Sequence, residues 1–110
     1  MIVNLDKSDV EKEVIESDKP VVIEFHSLWN SACRAFSTMF EELAREYEGK
    51  VKFAQSNIDG NPDLAEELNI SNIPTVVLFC DGIEIKRMLN PSRAWLKQEL
   101  DSLLRKIKRF

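Results

Sequence analysis

Hydrophobic positions along the chain follow two different periods, one typical of β-strands and one typical of α-helices. β-Branched and aromatic residues are concentrated in four segments that predict strands, at 1–5, 19–26, 50–59 and 73–89. The last of these segments contains Asp81-Gly82 between two apolar runs, a strong signal for a β-hairpin. Because a hairpin divides that segment into two strands, we expect about five strands in total.

Four further segments have apolar residues at spacings of three and four, and they predict helices at 7–17, 31–49, 61–70 and 91–110. Ser8 and Glu11 have the spacing of a capping box for the first helix, and Ser92 is the expected N-cap of the last. Strands that alternate with helices imply parallel pairing, to which the hairpin adds an antiparallel edge. The sequence therefore predicts an α/β fold, in which a mixed central sheet of about five strands has four helices on both faces.

The composition is that of a globular protein with one domain over residues 1–110, since 44% of the residues are hydrophobic and 31% are charged. The net charge is −4, and basic residues cluster only near the C-terminus, at Arg105, Lys106, Lys108 and Arg109. Cations are favoured at a helix C-terminus, and a docking patch for an acidic partner is the alternative interpretation. This charge pattern argues against nucleic acid as a partner.

Membrane insertion and secretion are not expected. No apolar run approaches the length of a membrane-spanning helix, and the N-terminus lacks the basic and apolar segments of a signal peptide. We therefore expect a cytoplasmic protein without a membrane partner, as a monomer or weak dimer. With two cysteines and one histidine the chain has too few ligands for a structural zinc site, so no metal and no cofactor are expected.

The segment EFHSLWNSACRAF, from Glu24 to Phe36, has the layout of an active-site loop, with a Trp and a four-residue turn between a strand and a helix. Where a dithiol enzyme has Cys-x-x-Cys, this chain has Asn-Ser-Ala-Cys at 30–33. Two later segments, SNIDGNPDLAEELNI and NIPTVVLFCDG, follow at matching distances, and the helix after residue 30 has a matching length. In this order, these features resemble the thioredoxin family over essentially the whole chain.

The resemblance implies the thioredoxin fold and a groove that binds a protein or an extended peptide. On this sequence the groove is expected to comprise Trp29, Asn30, Ser31, Ala32, Ile73, Pro74 and Asn90. The Ile73–Pro74 bond is expected to be cis, a state that is accessible mainly before proline. The chain departs from the family pattern where Glu24 replaces a buried Asp, His26 replaces a Trp and Asn90 replaces a Gly.

Asn30 is the departure with the largest chemical consequence, because the resemblance places it where the family has its nucleophilic cysteine. Thioredoxin-type reduction needs a thiolate at this helix N-terminus to attack a disulfide, and an amide cannot do so. Asn is a favourable N-cap, so its oxygen is expected to accept from the N–H of Ala32 or Cys33, with contact to a bound peptide or thiol as a second role. Cys80 cannot supply the missing thiol, because it lies about 20 Å along its strand from Pro74.

Cys33 and Glu24 are the candidate catalytic residues. Cys33 is either an inert, buried helix residue or a lone reactive thiol, since the helix terminus lowers its pKa whereas burial and the Glu24 carboxylate raise it. The resemblance implies that Glu24 is a proton relay for Cys33. The alternative is a carboxylate that reaches a Lys, such as Lys52 or Lys86, or a water. His26 is expected to pack and form hydrogen bonds beneath the loop, with a catalytic role as the alternative.

Three hypotheses on function follow. The first is an atypical thioredoxin-like protein that binds a protein or peptide in the groove, is linked to thiol-disulfide homeostasis and does not run a dithiol cycle. The second is a monothiol oxidoreductase or redox sensor, in which glutathione or a partner thiol supplies the second sulfur to Cys33. The third is a subunit or regulatory domain whose helix faces dock on a partner.

Overall fold

A five-stranded sheet flanked by helical segments forms the computed structural model, which describes residues 2–108. The strands are β1 (Ile2–Asn4), β2 (Val21–His26), β3 (Lys52–Asn57), β4 (Thr75–Cys80) and β5 (Ile83–Leu89). The helical segments are a 3-10 turn (Lys7–Asp9) followed by a π turn (Glu11–Ile15), then α1 (Ser31–Glu46), α2 (Pro62–Glu67) and α3 (Arg93–Ile107). The predicted α/β class, with a mixed five-stranded sheet and four helical segments, is confirmed.

The direction of β4 differs from the sequence-based expectation. The strand order is β1-β3-β2-β4-β5, and β3 is parallel to β1 and β2, whereas β4 is antiparallel to both β2 and β5. Parallel pairing of all helix-separated strands is therefore wrong for β4. The connection from β3 to β4 contains the short helix α2 and turns, and it returns the chain to the end of the sheet at which β3 ends. As a result, β4 begins at the edge of the sheet where β2 and β3 end.

The N-terminal helical segment also differs from its prediction, because the structure has two short turns instead of one α-helix over 7–17. The expected capping box of Ser8 and Glu11 does not form. Asp6 is the N-cap, its side chain accepts from the N–H of Ser8, and the Asp9 carboxylate accepts from the N–H of Asp6. Asp is as good an N-cap as Ser, and Asp6 comes first along the chain, so the segment starts earlier and with a tighter turn.

Apolar side chains fill both faces of the sheet and fix the elements that carry the site. One core lies between the sheet and the helices α1 and α3, and the other lies under the N-terminal segment and α2. α1 buries the side chains that its periodicity predicts, including Phe36, Phe40 and Leu43. Ser92 caps α3 as predicted, with its hydroxyl oxygen accepting from the N–H of Trp95 at 3.1 Å. Trp95, in the first turn of α3, is 39% exposed.

Candidate functional site

The candidate site lies at the C-terminal end of β2, one of the inner strands of the sheet. Residues 27–30 connect β2 to α1, and β4 begins beside them because it pairs with the last residues of β2. The Ile73–Pro74 peptide bond just before β4 is cis. Asn90 follows β5 at a positive φ of 42°, a conformation that Asn tolerates, and its N–H donates to the Pro74 carbonyl at 2.8 Å. The fold thus brings the loop 27–30, the Ile73-Pro74 pair and Asn90 together at the same end of the sheet.

Asn30 is the N-cap of α1. Its backbone is extended, and its Oδ1 accepts from the N–H of Cys33 at 2.9 Å, one of the two donors predicted for it. Ser31 and Ala32 follow in the first turn of the helix and are exposed. The amide oxygen of Asn30 therefore accepts from a backbone N–H at the helix N-terminus. Without this bond, the same N–H could stabilise an anion.

Cys33 is buried in the first turn of α1, with 1% of its surface exposed. Burial raises the pKa of the Cys33 thiol, a backbone hydrogen bond from Ser27 lowers it, and the negative charge of Glu24 raises it further. The net direction, which the sequence leaves open, is upward. Because the thiolate is the reactive form, this environment favours an inert thiol at neutral pH.

We expect Cys33 to react with iodoacetamide at least about tenfold more slowly in the folded protein than in urea at pH 8, since both its burial and its raised pKa reduce the accessible thiolate. The measurement uses Cys80→Ser, so that the only alkylated thiol is Cys33, and the folded-state rate should rise as the pH is increased toward the raised pKa. Cys33→Ser serves as the control. Equal rates in the two states, or a stable adduct with oxidised glutathione at Cys33, would contradict an inert thiol.

Glu24 is a fully buried carboxylate whose hydrogen-bond donors carry no charge. Ser37 Oγ donates to Glu24 Oε2 at 2.6 Å, and Gln55 Nε2 donates to Glu24 Oε1 at 2.9 Å. The alternative of a Lys partner is wrong, because Lys52 and Lys86 form ion pairs with other acidic residues. A carboxylate in this setting lacks the counter-ion that normally compensates for its lost hydration.

The outer rim of the site combines exposed apolar side chains with an unpaired stretch of backbone. Trp29 is 89% exposed and Leu28 is 62% exposed, and Ile73 is partly exposed. Within residues 2–108, neither the N–H nor the C=O of Ile73 has a hydrogen-bond partner. Leu28 was not predicted as a site residue, although an apolar residue in a loop that fits neither a helical nor a strand period is a signal that could have identified it.

Comparison with known proteins places this arrangement in a family. The family model described as Thioredoxin matches residues 1–105. The chain belongs to the thioredoxin family. Among the relatives, thioredoxin from Pseudomonas aeruginosa is 33% identical over 102 residues, which cover 92% of this chain and 94% of the relative. Thioredoxin 1 from Nostoc sp. is 34% identical over 98 residues, which cover 88% of this chain and 92% of the relative. Thioredoxin from Rickettsia felis is 40% identical over 79 residues, which cover 72% of this chain and 75% of the relative.

The predicted resemblance and the predicted thioredoxin fold are thus confirmed. In this thioredoxin-family chain both cysteines are free thiols, in agreement with the expectation that Cys80 cannot reach the site. Over residues 2–108, no group of three or more His, Cys, Asp and Glu side chains is arranged to hold a metal ion. None of the helices in that range combines the length and apolar character needed to cross a bilayer.

His26 is the remaining residue that departs from the thioredoxin-family pattern. It is 8% exposed at the end of β2, and because side chains alternate along a strand it shares a face with Glu24. Its Nδ1 has no hydrogen-bond partner among the described residues. The side chain is therefore buried, as expected for packing, but the expected hydrogen bonding does not involve Nδ1 within the described residues.

Proposed function

We propose that this thioredoxin-family chain is a protein- or peptide-binding module, linked to thiol-disulfide homeostasis, that does not run a dithiol cycle. The observation that carries the proposal is the capping of α1 by Asn30, whose oxygen accepts from the N–H of Cys33 at 2.9 Å. A carboxamide at this helix end has no sulfur with which to form a mixed disulfide. We expect it to act in the cytoplasm, as a monomer or weak dimer, without a nucleic acid or membrane partner.

The groove retains what noncovalent binding of an extended segment requires. Within residues 2–108 the N–H and C=O of Ile73 have no partner, so an extended segment can pair with them as an added strand, a recognition mode in which backbone hydrogen bonds give affinity. Trp29 and Leu28 offer apolar area to the side chains of that segment. Exposed Trp side chains are the residues that most often dominate binding energy at protein interfaces.

Monothiol exchange between Cys33 and glutathione receives less support than peptide binding. Such exchange needs an accessible thiolate, whereas Cys33 is 1% exposed and burial raises its pKa. The iodoacetamide and glutathione measurements described above decide between the two functions. Trp29 and Leu28, by contrast, are already exposed and can contact a partner without a conformational change.

Replacing Trp29 by alanine should weaken binding of an unfolded polypeptide at least about tenfold, because a Trp at the centre of an interface is a typical hot spot. The probe is reduced and carboxymethylated α-lactalbumin, which is extended and has no free thiols, so its binding cannot depend on sulfur chemistry. Binding is measured by fluorescence polarisation of the labelled probe.

Ile83→Ala is the matched control for this substitution. Ile83 is 65% exposed but lies at the start of β5, at the opposite end of the strand from Asn90, so its loss should leave the dissociation constant unchanged. Wild-type protein that fails to bind the probe at millimolar concentration, or equal losses in both variants, would contradict a binding site at Trp29.

A further inference from the structure

Ser27, the first residue after β2, connects the groove loop to a neighbouring loop. Its side chain is buried, with 7% exposure, and its Oγ donates to Asp59 Oδ2 at 2.6 Å. The same oxygen accepts from the backbone N–H of Trp29 at 3.3 Å, and the Ser27 carbonyl accepts from the N–H of Asn30 at 3.3 Å. One serine thus accepts hydrogen bonds from the backbone N–H groups of Trp29 and Asn30, and it donates one to a carboxylate 32 residues away in sequence.

Asp59 is itself held in place between β3 and α2. Its N–H donates to Asn57 Oδ1 at 3.0 Å, and the adjacent Ile58 N–H donates to the His26 carbonyl at 2.9 Å. Over residues 2–108, Ser27 is the hydrogen-bond partner of the Asp59 carboxylate, which forms no ion pair there. The loop after β3 is therefore attached to the end of β2 and presents a fixed carboxylate to Ser27.

Trp29 depends on its backbone for its position. With 89% of the residue exposed, packing against the protein cannot fix the indole, and the neighbouring Leu28 is also mostly exposed. The backbone contacts that hold this part of the loop come from Ser27 on one side and from Arg34 on the other, whose Nη1 donates to the Leu28 carbonyl at 3.0 Å. A loop that is already ordered loses less conformational entropy when it binds.

We propose that Ser27 and Asp59 form a positioning pair, which fixes Trp29 and so pre-organises the groove for an extended peptide. The inference rests on the proposed binding function but concerns residues that do not contact the peptide. Ser27 supplies the contact to the loop, and Asp59 orients the Ser27 hydroxyl so that its lone pairs face the Trp29 N–H.

The chain has two tryptophans, so the test uses a Trp95→Phe background in which Trp29 is the only one that remains. Ser27→Ala and Asp59→Ala should each raise the dissociation constant for carboxymethylated α-lactalbumin about fivefold to tenfold, the loss expected for one hydrogen bond. Because Asp59 acts on the loop through the Ser27 hydroxyl, the double variant should bind no more weakly than Ser27→Ala alone. Ser27→Thr, which keeps a hydroxyl, should bind within about twofold of the background, and Ser102→Ala on α3 is the matched control.

A second readout needs no ligand, so that the two proposals can fail separately. Fluorescence anisotropy of Trp29 in the peptide-free protein should fall in Ser27→Ala and Asp59→Ala, but not in Ser27→Thr or Ser102→Ala, as local motion of the loop increases. Unchanged anisotropy in the two alanine variants, or binding losses that multiply in the double variant, would overturn the positioning pair. If the unsubstituted protein does not bind the probe, the binding function fails, while a fall in anisotropy still supports the pair.

Discussion

Replacing Asn30 by cysteine should raise disulfide reduction measurably above the level of the native chain. The substitution places a thiol at the N-cap of α1, where the N–H groups that now face the Asn30 oxygen would stabilise a thiolate. It also restores a second sulfur three residues before Cys33. In an insulin-reduction assay with dithiothreitol, the native chain should remain at the uncatalysed rate, whereas Asn30→Cys should exceed that rate at least about tenfold.

The gain should nevertheless be partial, because Cys33 is poorly placed to complete the cycle quickly. Resolution of the mixed disulfide requires the Cys33 thiolate, and both burial and the charge of Glu24 raise the pKa of this thiol. Attack by the new thiol should therefore be faster than resolution. We expect a mixed disulfide with the substrate to accumulate and to be detectable by mass spectrometry.

Asn30→Ser is the matched control for the cysteine substitution. Serine is also a good N-cap and differs from cysteine by one oxygen in place of sulfur, so this variant should fold like the native chain and remain inactive. Combining Asn30→Cys with Cys33→Ser should trap the mixed disulfide without turnover. Sustained insulin reduction by the native chain would contradict the proposal that the dithiol cycle is closed.

Local sequence patterns specified those parts of the fold that depend on local interactions. The spacing of Phe36, Phe40 and Leu43 predicts the buried face of α1, and the hydroxyl of Ser92 predicts its role as a cap. The direction of β4 could not be predicted in this way, because a strand has the same alternation in either direction. It is fixed by pairing with β2, a strand about 50 residues earlier in the chain.

The candidate site was predictable only in part, for a related reason. Asn30 and Cys33 are neighbours in sequence, so capping rules alone place the oxygen of one on the N–H of the other. The partners of Glu24, in contrast, lie 13 and 31 residues away, and no periodicity indicates them. Pro74 and Asn90 were assigned from family resemblance, which contains tertiary information that local patterns lack.

Replacing Glu24 by glutamine should stabilise the protein by about 2 kcal/mol, because it removes a buried charge whose hydrogen-bond donors among residues 2–108 are neutral. Glutamine has nearly the same shape, its Oε1 can accept from Gln55 Nε2, and its Nε2 can donate to Ser37 Oγ. No cavity should therefore result, and one hydrogen of the new Nε2 is the only added donor without an identified acceptor. The measurement is the free energy of unfolding in urea at neutral pH, and a variant no more stable than the native chain would contradict an uncompensated charge at Glu24.

Ser37→Ala supplies the control, through a double-mutant cycle with Glu24→Gln. In the native background it should cost about 2 kcal/mol, since a hydrogen bond to a charged acceptor is strong, and in the Gln background about 1 kcal/mol. Equal costs in the two backgrounds would indicate that Ser37 does not interact with a charged carboxylate.

The same substitution also connects Glu24 to the chemistry of the site. The negative charge of Glu24 contributes to the raised pKa of Cys33, so Glu24→Gln should lower that pKa and accelerate alkylation of Cys33 while increasing stability. Both changes in one variant would show that the carboxylate acts on the thiol at a cost to folding. An acid that lowers both the stability of the fold and the reactivity of Cys33 is what we expect of a site that binds partners without reacting with them.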